Sequence, residues 1–299
     1  MEKTVRRIKR TRSDIVFDVI IALCMVLVAV MIVYPIYFIL CASISDPIAV
    51  TSGKTMLGPS GVNFDGYNEV LTDMRIWTGY RNTILYTIAG VLLNLAVTMT
   101  CAYAMTVKDL PWKKFITFLI VFTMLFDGGM IPRFLIVRGL GIYNTIWAMI
   151  LPKAAWVFCI IIARTFIQQS IPYELYEAAQ SEGCSFIRYF FMVVIPLSPA
   201  LISILILYYG TNHWNSFFDA MLYLQDQDLY PLQLILRDIL IAAQSNLAAE
   251  SPEILQELLR KAETVKYAII VFASLPMLIV YPFLQRYFVK GVMIGAIKG

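Results

Sequence analysis

Charged residues are scarce in this sequence. Asp, Glu, Lys and Arg together supply 15% of the 299 residues, whereas apolar residues supply 60%. An average soluble domain contains about 25% charged residues, so this composition excludes an ordinary water-exposed surface. The sequence therefore predicts an integral membrane protein.

Histidine and paired cysteines are also lacking. The one histidine, His213, is too isolated for a metal site. The five cysteines lie in apolar runs or in one polar segment, not paired in outer loops as in a small disulfide-stabilised domain. We therefore expect neither a disulfide framework nor a metal centre.

Six apolar runs are long enough to cross a membrane as helices, which takes about 20 residues each. Several of them contain proline, which a transmembrane helix tolerates where its neighbours satisfy the freed backbone groups. The predicted fold class is therefore all-α, a polytopic membrane protein with six packed transmembrane helices in one domain at residues 15–289. The six runs cover approximately residues 15–41, 82–106, 114–137, 143–167, 187–215 and 267–289.

The basic residues predict the orientation of these spans. If the N-terminus is cytoplasmic, more than half of the 24 basic residues lie in or beside the cytoplasmic segments. These segments include residues 1–14, a loop at about 168–186 and the tail 290–299. Because basic residues favour the cytoplasmic side, we expect both termini in the cytoplasm. The segments at about 42–81 and 216–266 are then external.

The cytoplasmic loop contains a short polar segment with the pattern of a helix. Glu174 and Glu177 occupy its early turns, where negative charge favours the helix dipole. Ala178 and Ala179 leave one side bare enough for another protein to approach, and Gly183 ends the helix. Spans on both sides hold this helix at the membrane, so the pattern favours a mechanical contact with a cytoplasmic partner.

A second motif suggests nucleotide binding and is rejected. Residues 52–55 read Ser-Gly-Lys-Thr, the end of a phosphate-binding P-loop, but Ile48 stands where that motif needs a glycine. No strand precedes the segment, and the predicted orientation places it outside the cell. An energy source would have to be another polypeptide.

The polar helix, with the residues that follow it, resembles the coupling loop of permease subunits of bacterial ABC importers. The matching residues are Glu177-Ala178-Ala179, Gly183 and the aliphatic-Pro end at Pro196. Further segments, such as Gly139 to Thr145, resemble the maltose-type carbohydrate permeases and, within them, the branch for oligosaccharides or complex sugars. The resemblance extends over residues 64–299.

This resemblance implies a type I ABC importer permease fold with a cytoplasmic coupling helix, in the bacterial cell membrane. It implies translocation of a carbohydrate, an oligosaccharide, by alternating access. The implied partners are a second homologous permease, two cytoplasmic ATPase subunits and an extracellular solute-binding protein, with no nucleic acid. ATP and Mg²⁺ would bind to the ATPases, so no catalytic residue, metal or cofactor is expected in this chain.

Polar residues in or near the spans are candidates for a substrate path, because burying them in a membrane is costly. For Asn94 and Tyr103, hydrogen bonds between helices are the alternative. Trp214 and Asn215 suit a sugar, whose C–H face stacks on an aromatic ring while its hydroxyls bond an amide. They also suit an interfacial aromatic belt. Asn212 completes this set, and Lys153 and His213 are further polar residues in the spans.

Two peripheral segments have a functional and a structural interpretation. An amphipathic helix is predicted at about 252–266, and in maltose-type importers the corresponding loop meets the solute-binding protein. Packing on this chain's own first loop is the alternative. The tail 290–299 is similar to family tails that reach the ATPases, although it could be a frayed terminus.

An ion-coupled secondary transporter is the alternative function. Such a protein needs carboxylates within its spans to carry protons or coordinate sodium. The centres of the predicted spans contain none, since Asp18, Asp127 and Glu182 all lie at edges. The sequence therefore favours the ATP-driven importer.

Overall fold

The structure is a computed structural model that describes residues 12–245, 262–263, 265–283 and 285. The predicted basic residues 1–11, most of the predicted amphipathic helix at 252–266 and the tail 290–299 lie outside the described residues. The described part is all-α. Its helices are α1 Arg12–Ser43, α2 Pro47–Thr51, α3 Asp65–Thr72, α4 Met74–Thr106, α5 Lys113–Leu125, α6 Met130–Gly139, α7 Ile146–Ile150, α8 Val157–Ser170, α9 Tyr173–Ser181, α10 Phe186–Tyr189, α11 Pro199–Trp214, α12 Phe217–Tyr223, α13 Leu232–Ser245 and α14 Val265–Phe283.

Three of these helices are individually long and apolar enough to cross a membrane: α1, α4 and α14. Three further segments qualify as bent pairs, with angles of 114° between α5 and α6, 51° at the start of α8, and 87° before α11. Among the described residues, the predicted number of six spans is reached when each bent pair counts as one span. The sequence predicts each of these three runs as a single span.

Glycine and proline cause the two sharpest bends. The break between α5 and α6 contains Gly128 and Gly129, and Gly129 has φ +88° and ψ 174°, a conformation available essentially to glycine alone. The 87° break contains Pro196, which has no N–H to continue the helix. There the backbone closes a π-turn, with the Ile195 N–H donating to the Phe190 carbonyl at 3.0 Å.

The chain divides into two compact units, residues 1–70 with 243–271, and residues 71–242 with 272–299. In the first unit most of α1 is exposed, and only its last turn, Cys41 to Ser43, is buried. The Tyr67 hydroxyl donates to the Ser43 hydroxyl at 2.8 Å, which ties α3 to this turn. The Ser-Gly-Lys-Thr segment follows α2, a helix rather than a strand.

The second unit is built around α4. Asp73 caps this helix by accepting from the Arg75 N–H at 2.9 Å, and the hydrogen bond from the Arg75 guanidinium lowers the pKa of the Asp73 carboxyl. The C-terminal half of α4 contributes Met99 and Ala102 to a buried cluster with Ala163 of α8 and Leu201 of α11. Small side chains at these contacts let the helix backbones approach closely.

Candidate functional site

Helix α9 is the predicted coupling helix. Pro172 caps it, and the first turn closes from the Leu175 N–H to the Pro172 carbonyl at 3.2 Å. At its other end Gly183 has φ +81°, and its N–H donates to the Gln180 carbonyl at 2.9 Å. The Cys184 N–H donates to the Ala179 carbonyl, also at 2.9 Å. This pair of bonds is a Schellman motif, which requires a left-handed residue at the position of Gly183.

One face of α9 packs against the bundle. Tyr173, Tyr176 and Ala179 are partly buried, at the spacing of one helical face. The Tyr176 ring meets the Tyr189 ring edge-on at 5.3 Å, and the Lys108 ammonium lies 3.3 Å from the centre of the Tyr173 ring. A cation at that distance is attracted to the ring, so the loop after α4 also holds α9.

Aromatic stacking continues from α10 to the central helix α4. The Tyr103 ring stacks on Phe186 at 4.2 Å and on Phe190 at 5.2 Å, and its hydroxyl donates to the Phe186 carbonyl at 3.2 Å. These contacts place Tyr103 in the packing behind α9. Displacement of α9 would therefore be transmitted to α4 through rigid rings.

The opposite face of α9 is exposed. Glu174, Glu177 and Ala178 point away from the bundle, and neither carboxylate forms an ion pair among the described residues. The two predicted alanines thus lie on different faces, since Ala179 packs inward and Ala178 outward. Helix α9 therefore has a short, exposed acidic surface on one face and packs against the bundle with the other.

A buried hydrogen-bond network joins α4, α11 and the turn before α8. Asn94 is fully buried, its amide N–H donates to the Lys153 carbonyl, and its Oδ1 lies 2.8 Å from Nε2 of His213. Because the amide oxygen can only accept, Nε2 of His213 carries the proton. Asn94 therefore makes interhelical bonds at both ends of its amide.

Trp214 also lies in the packing of the second unit. Its side chain is buried, and its indole N–H donates to the Ala273 carbonyl at 3.0 Å, joining α11 to α14.

Trp214→Phe is expected to lower the stability of the purified protein by about 1–3 kcal/mol, because it removes a buried hydrogen-bond donor. Thermal unfolding in detergent measures this loss. Trp147→Phe is the matched control, since Trp147 is exposed. Equal effects of the two substitutions would contradict the assigned role of Trp214.

An open cleft lies beside the C-terminal half of α11. Its volume is about 660 Å³. Of the residues predicted to line a substrate path, Asn212 and Asn215 line this cleft, whereas Asn94, Tyr103 and Trp214 lie outside its lining. The remaining polar and aromatic residues of its wall are Lys153, Trp156, Tyr208, Thr211, Ser216, Phe218 and Asp219.

Sequence relatives cover nearly the whole chain, although no family model matches it. The polygalacturonan/rhamnogalacturonan transport system permease protein YtcP of Bacillus subtilis (strain 168) is 36% identical over 283 residues, which are 95% of this chain and 98% of that protein. The chain belongs to the family of sugar ABC transporter permeases. Protein LplC of the same organism is 36% identical over 289 residues, or 97% of each chain.

A solved structure agrees with the sequence relatives. This permease superposes with a TM-score of 0.83 and 34% identity on a chain in the crystal structure of a bacterial ABC transporter involved in the import of the acidic polysaccharide alginate. The match covers 94% of the permease and 100% of that chain. The predicted family and the all-α polytopic fold are confirmed.

Sequence reasoning missed part of the permease's cleft. Trp156, Tyr208 and Asp219 were not singled out, and Lys153 was noted only as a polar residue in a span. One available signal was the helical spacing of Tyr208, Thr211, Asn212 and Asn215, which predicts a single polar face on a helix of an apolar protein.

Proposed function

We propose that this chain is one of two membrane-spanning subunits of an ATP-driven oligosaccharide importer and that α9 is its contact with a cytoplasmic ATPase. One observation carries the proposal: α9 exposes Glu174, Glu177 and Ala178 while its other face is held by tyrosine rings and Lys108. A helix seated in this way can move only together with the helices behind it. ATP and Mg²⁺ are bound by the ATPase subunits, and both chain termini are cytoplasmic.

The transport cycle follows from this contact. When the ATPase subunits close or open, they displace α9, and the aromatic contacts of Tyr103 and Tyr189 pass the displacement to α4 and α10. The bends beside Pro196 and Gly129 divide the spans into stiff pieces that can change their angles. A path between this permease and a second, homologous one then opens alternately outward, to a solute-binding protein, and inward.

The relatives favour an acidic oligosaccharide as cargo. One is named for transport of polygalacturonan and rhamnogalacturonan, and the solved neighbour belongs to an importer of the acidic polysaccharide alginate. Galacturonate and alginate units both carry a carboxylate. We therefore propose fragments of uronate-containing polysaccharides as the transported class.

Glu177→Lys is expected to reduce recovery of the ATPase with the tagged chain by at least about tenfold, since reversing one interface charge costs more than about 1.4 kcal/mol. Co-purification in mild detergent, followed by an ATP-hydrolysis assay, measures this. Asp65→Lys is the matched control, because Asp65 is also an exposed acid on a helix but lies on α3. A wild-type chain that purifies without an ATPase and still transports sugar after reconstitution would refute the proposed function.

A further inference from the structure

We propose that the cleft beside α11 is a binding subsite for one uronate unit, in which the Lys153 ammonium receives the sugar carboxylate and the Trp156 and Tyr208 rings receive the sugar's C–H face. This inference rests on the proposed function, since it assumes that an oligosaccharide enters the cleft. It assigns sugar contacts to this permease rather than to its partner alone.

The first observation is the polar face of α11. Thr211 and Asn215 are exposed and Asn212 is partly exposed, one helical turn beyond the exposed ring of Tyr208. The Asn215 amide donates one N–H to the Thr211 carbonyl at 2.9 Å, but its remaining polar atoms and the Asn212 amide would lack hydrogen bonds if they faced lipid, at a cost of several kcal/mol each. This face therefore lines a polar space, and amides at its surface can bond the hydroxyl groups of a sugar.

The second observation is an aromatic surface on the same wall. The Trp156 and Tyr208 ring centres lie 4.5 Å apart at an interplanar angle of 45°. Both rings line the cleft, and more than a third of each residue is exposed. Two tilted rings form a shallow apolar surface that suits the C–H face of a pyranose.

The third observation is the Lys153–Asp219 ion pair on the cleft wall. The two side chains are 28% and 20% exposed, so both reach the cleft although most of their surface is covered. An ammonium group has three N–H donors. Among the described residues, the ion-pair partner of the Lys153 ammonium is the Asp219 carboxylate. A sugar carboxylate can therefore join Lys153 without breaking the pair.

Both members of this pair are held in place from behind. The Asn94 amide fixes the Lys153 backbone, and Asn94 is in turn bonded to His213. Asp219 belongs to α12, whose end is fixed because the Asn144 N–H donates to the Tyr223 carbonyl at 2.9 Å. Groups positioned in this way lose little freedom when they bind a ligand.

A second cleft shares Lys153, Trp156 and Asn212 with the first. It has a volume of about 300 Å³ and is lined by Arg133, Lys153, Trp156, Asn212 and the ring of His213. A further sugar unit in this space would meet a second cation, Arg133, whose guanidinium is paired with Asp127 at 3.0 Å and is half-exposed.

Trigalacturonate and its methyl ester are the probes, because esterification removes the charges and preserves the rings. Both are titrated by equilibrium dialysis against the purified complex of this chain with the proteins that accompany it. We expect the acid to bind about tenfold more tightly than the ester, as one additional charge-assisted hydrogen bond would provide. Lys153→Met should bring the acid and the ester to the same affinity.

Two matched variants separate charge recognition from packing. Asp219→Asn should keep or increase the preference for the acid, because it removes a negative charge that repels the sugar carboxylate. Tyr208→Ala should weaken the acid and the ester by the same factor, since stacking does not depend on the carboxylate.

Several outcomes would overturn the inference. The wild type could bind the acid and the ester with equal affinity, or it could fail to bind trigalacturonate. Alternatively, Lys153→Met could abolish binding of both ligands while the double variant Lys153→Met/Asp219→Asn regains it. The last outcome would show that the ion pair serves packing alone. Absence of an ATPase from the same preparation would instead refute the proposed function, so the two failures are distinguishable.

Discussion

Gly183→Val is expected to lower ATP-driven uptake by at least about tenfold while the chain still inserts into the membrane. Gly183 has φ +81°, and a left-handed conformation costs a residue other than glycine about 1–2 kcal/mol, with valine among the least tolerant. The Schellman end of α9 would therefore unwind or shift. Uptake of labelled sugar, normalised to the amount of permease in the membrane, measures the effect.

Gly183→Asn is the matched control for this prediction. No atom lies within 4 Å of a Cβ built at Gly183, so neither substitution causes a steric clash. Asparagine adopts the left-handed conformation far more readily than valine, and we expect its uptake to remain close to that of the wild type. Equal loss in both variants would show that the conformation of this residue is not what matters.

Gly90→Ala is expected to destabilise the permease by about 1–3 kcal/mol, the usual cost of adding volume to a filled interior. A Cβ at Gly90 would collide with the His213 ring, which is 2% exposed and bonded to Asn94. A shift of the ring away from Gly90 would disturb its hydrogen bond to Asn94. Thermal unfolding of the purified complex should show a lower midpoint and earlier aggregation.

Gly210→Ala provides the comparison. Gly210 lies on α11, the helix that carries His213, but beyond its chain neighbours and the nearby backbone of α11, no atom of the described residues lies within 4 Å of its added Cβ. Alanine favours a helix over glycine by up to about 1 kcal/mol, so this variant should unfold at the wild-type temperature or above it. If Gly210→Ala were as unstable as Gly90→Ala, loss of glycine rather than the collision with His213 would be the cause.

Local patterns were sufficient to predict the apolar helices and the polar helix α9. A run of about 20 apolar residues has few alternatives to a membrane helix, and the polar helix between two spans could be placed from Glu174, Glu177 and Gly183 alone. The bends were less predictable. Proline and glycine occur throughout the spans, and most of them leave the helix axis intact where neighbours satisfy the backbone.

The contacts between distant residues could not be obtained from the sequence. Lys153 and Asp219 belong to different elements, and no periodicity relates them. Their pairing depends on how α12 folds back over the turn before α8. The same holds for Asn94, whose hydrogen bonds to Lys153 and His213 join three elements that are distant in the sequence.

The sequence by itself determined the membrane location, the all-α class and the family, because composition, helical period and the Glu-Ala-Ala and Gly pattern are properties of adjacent residues. The tertiary structure decided which face of α9 packs against the bundle and which face is exposed. It also decided that Trp214 packs on α14 and that one cleft is lined by Lys153, Trp156, Tyr208 and Asp219. The physical reason is that burial and charge pairing are set by residues that come together only when the helices pack.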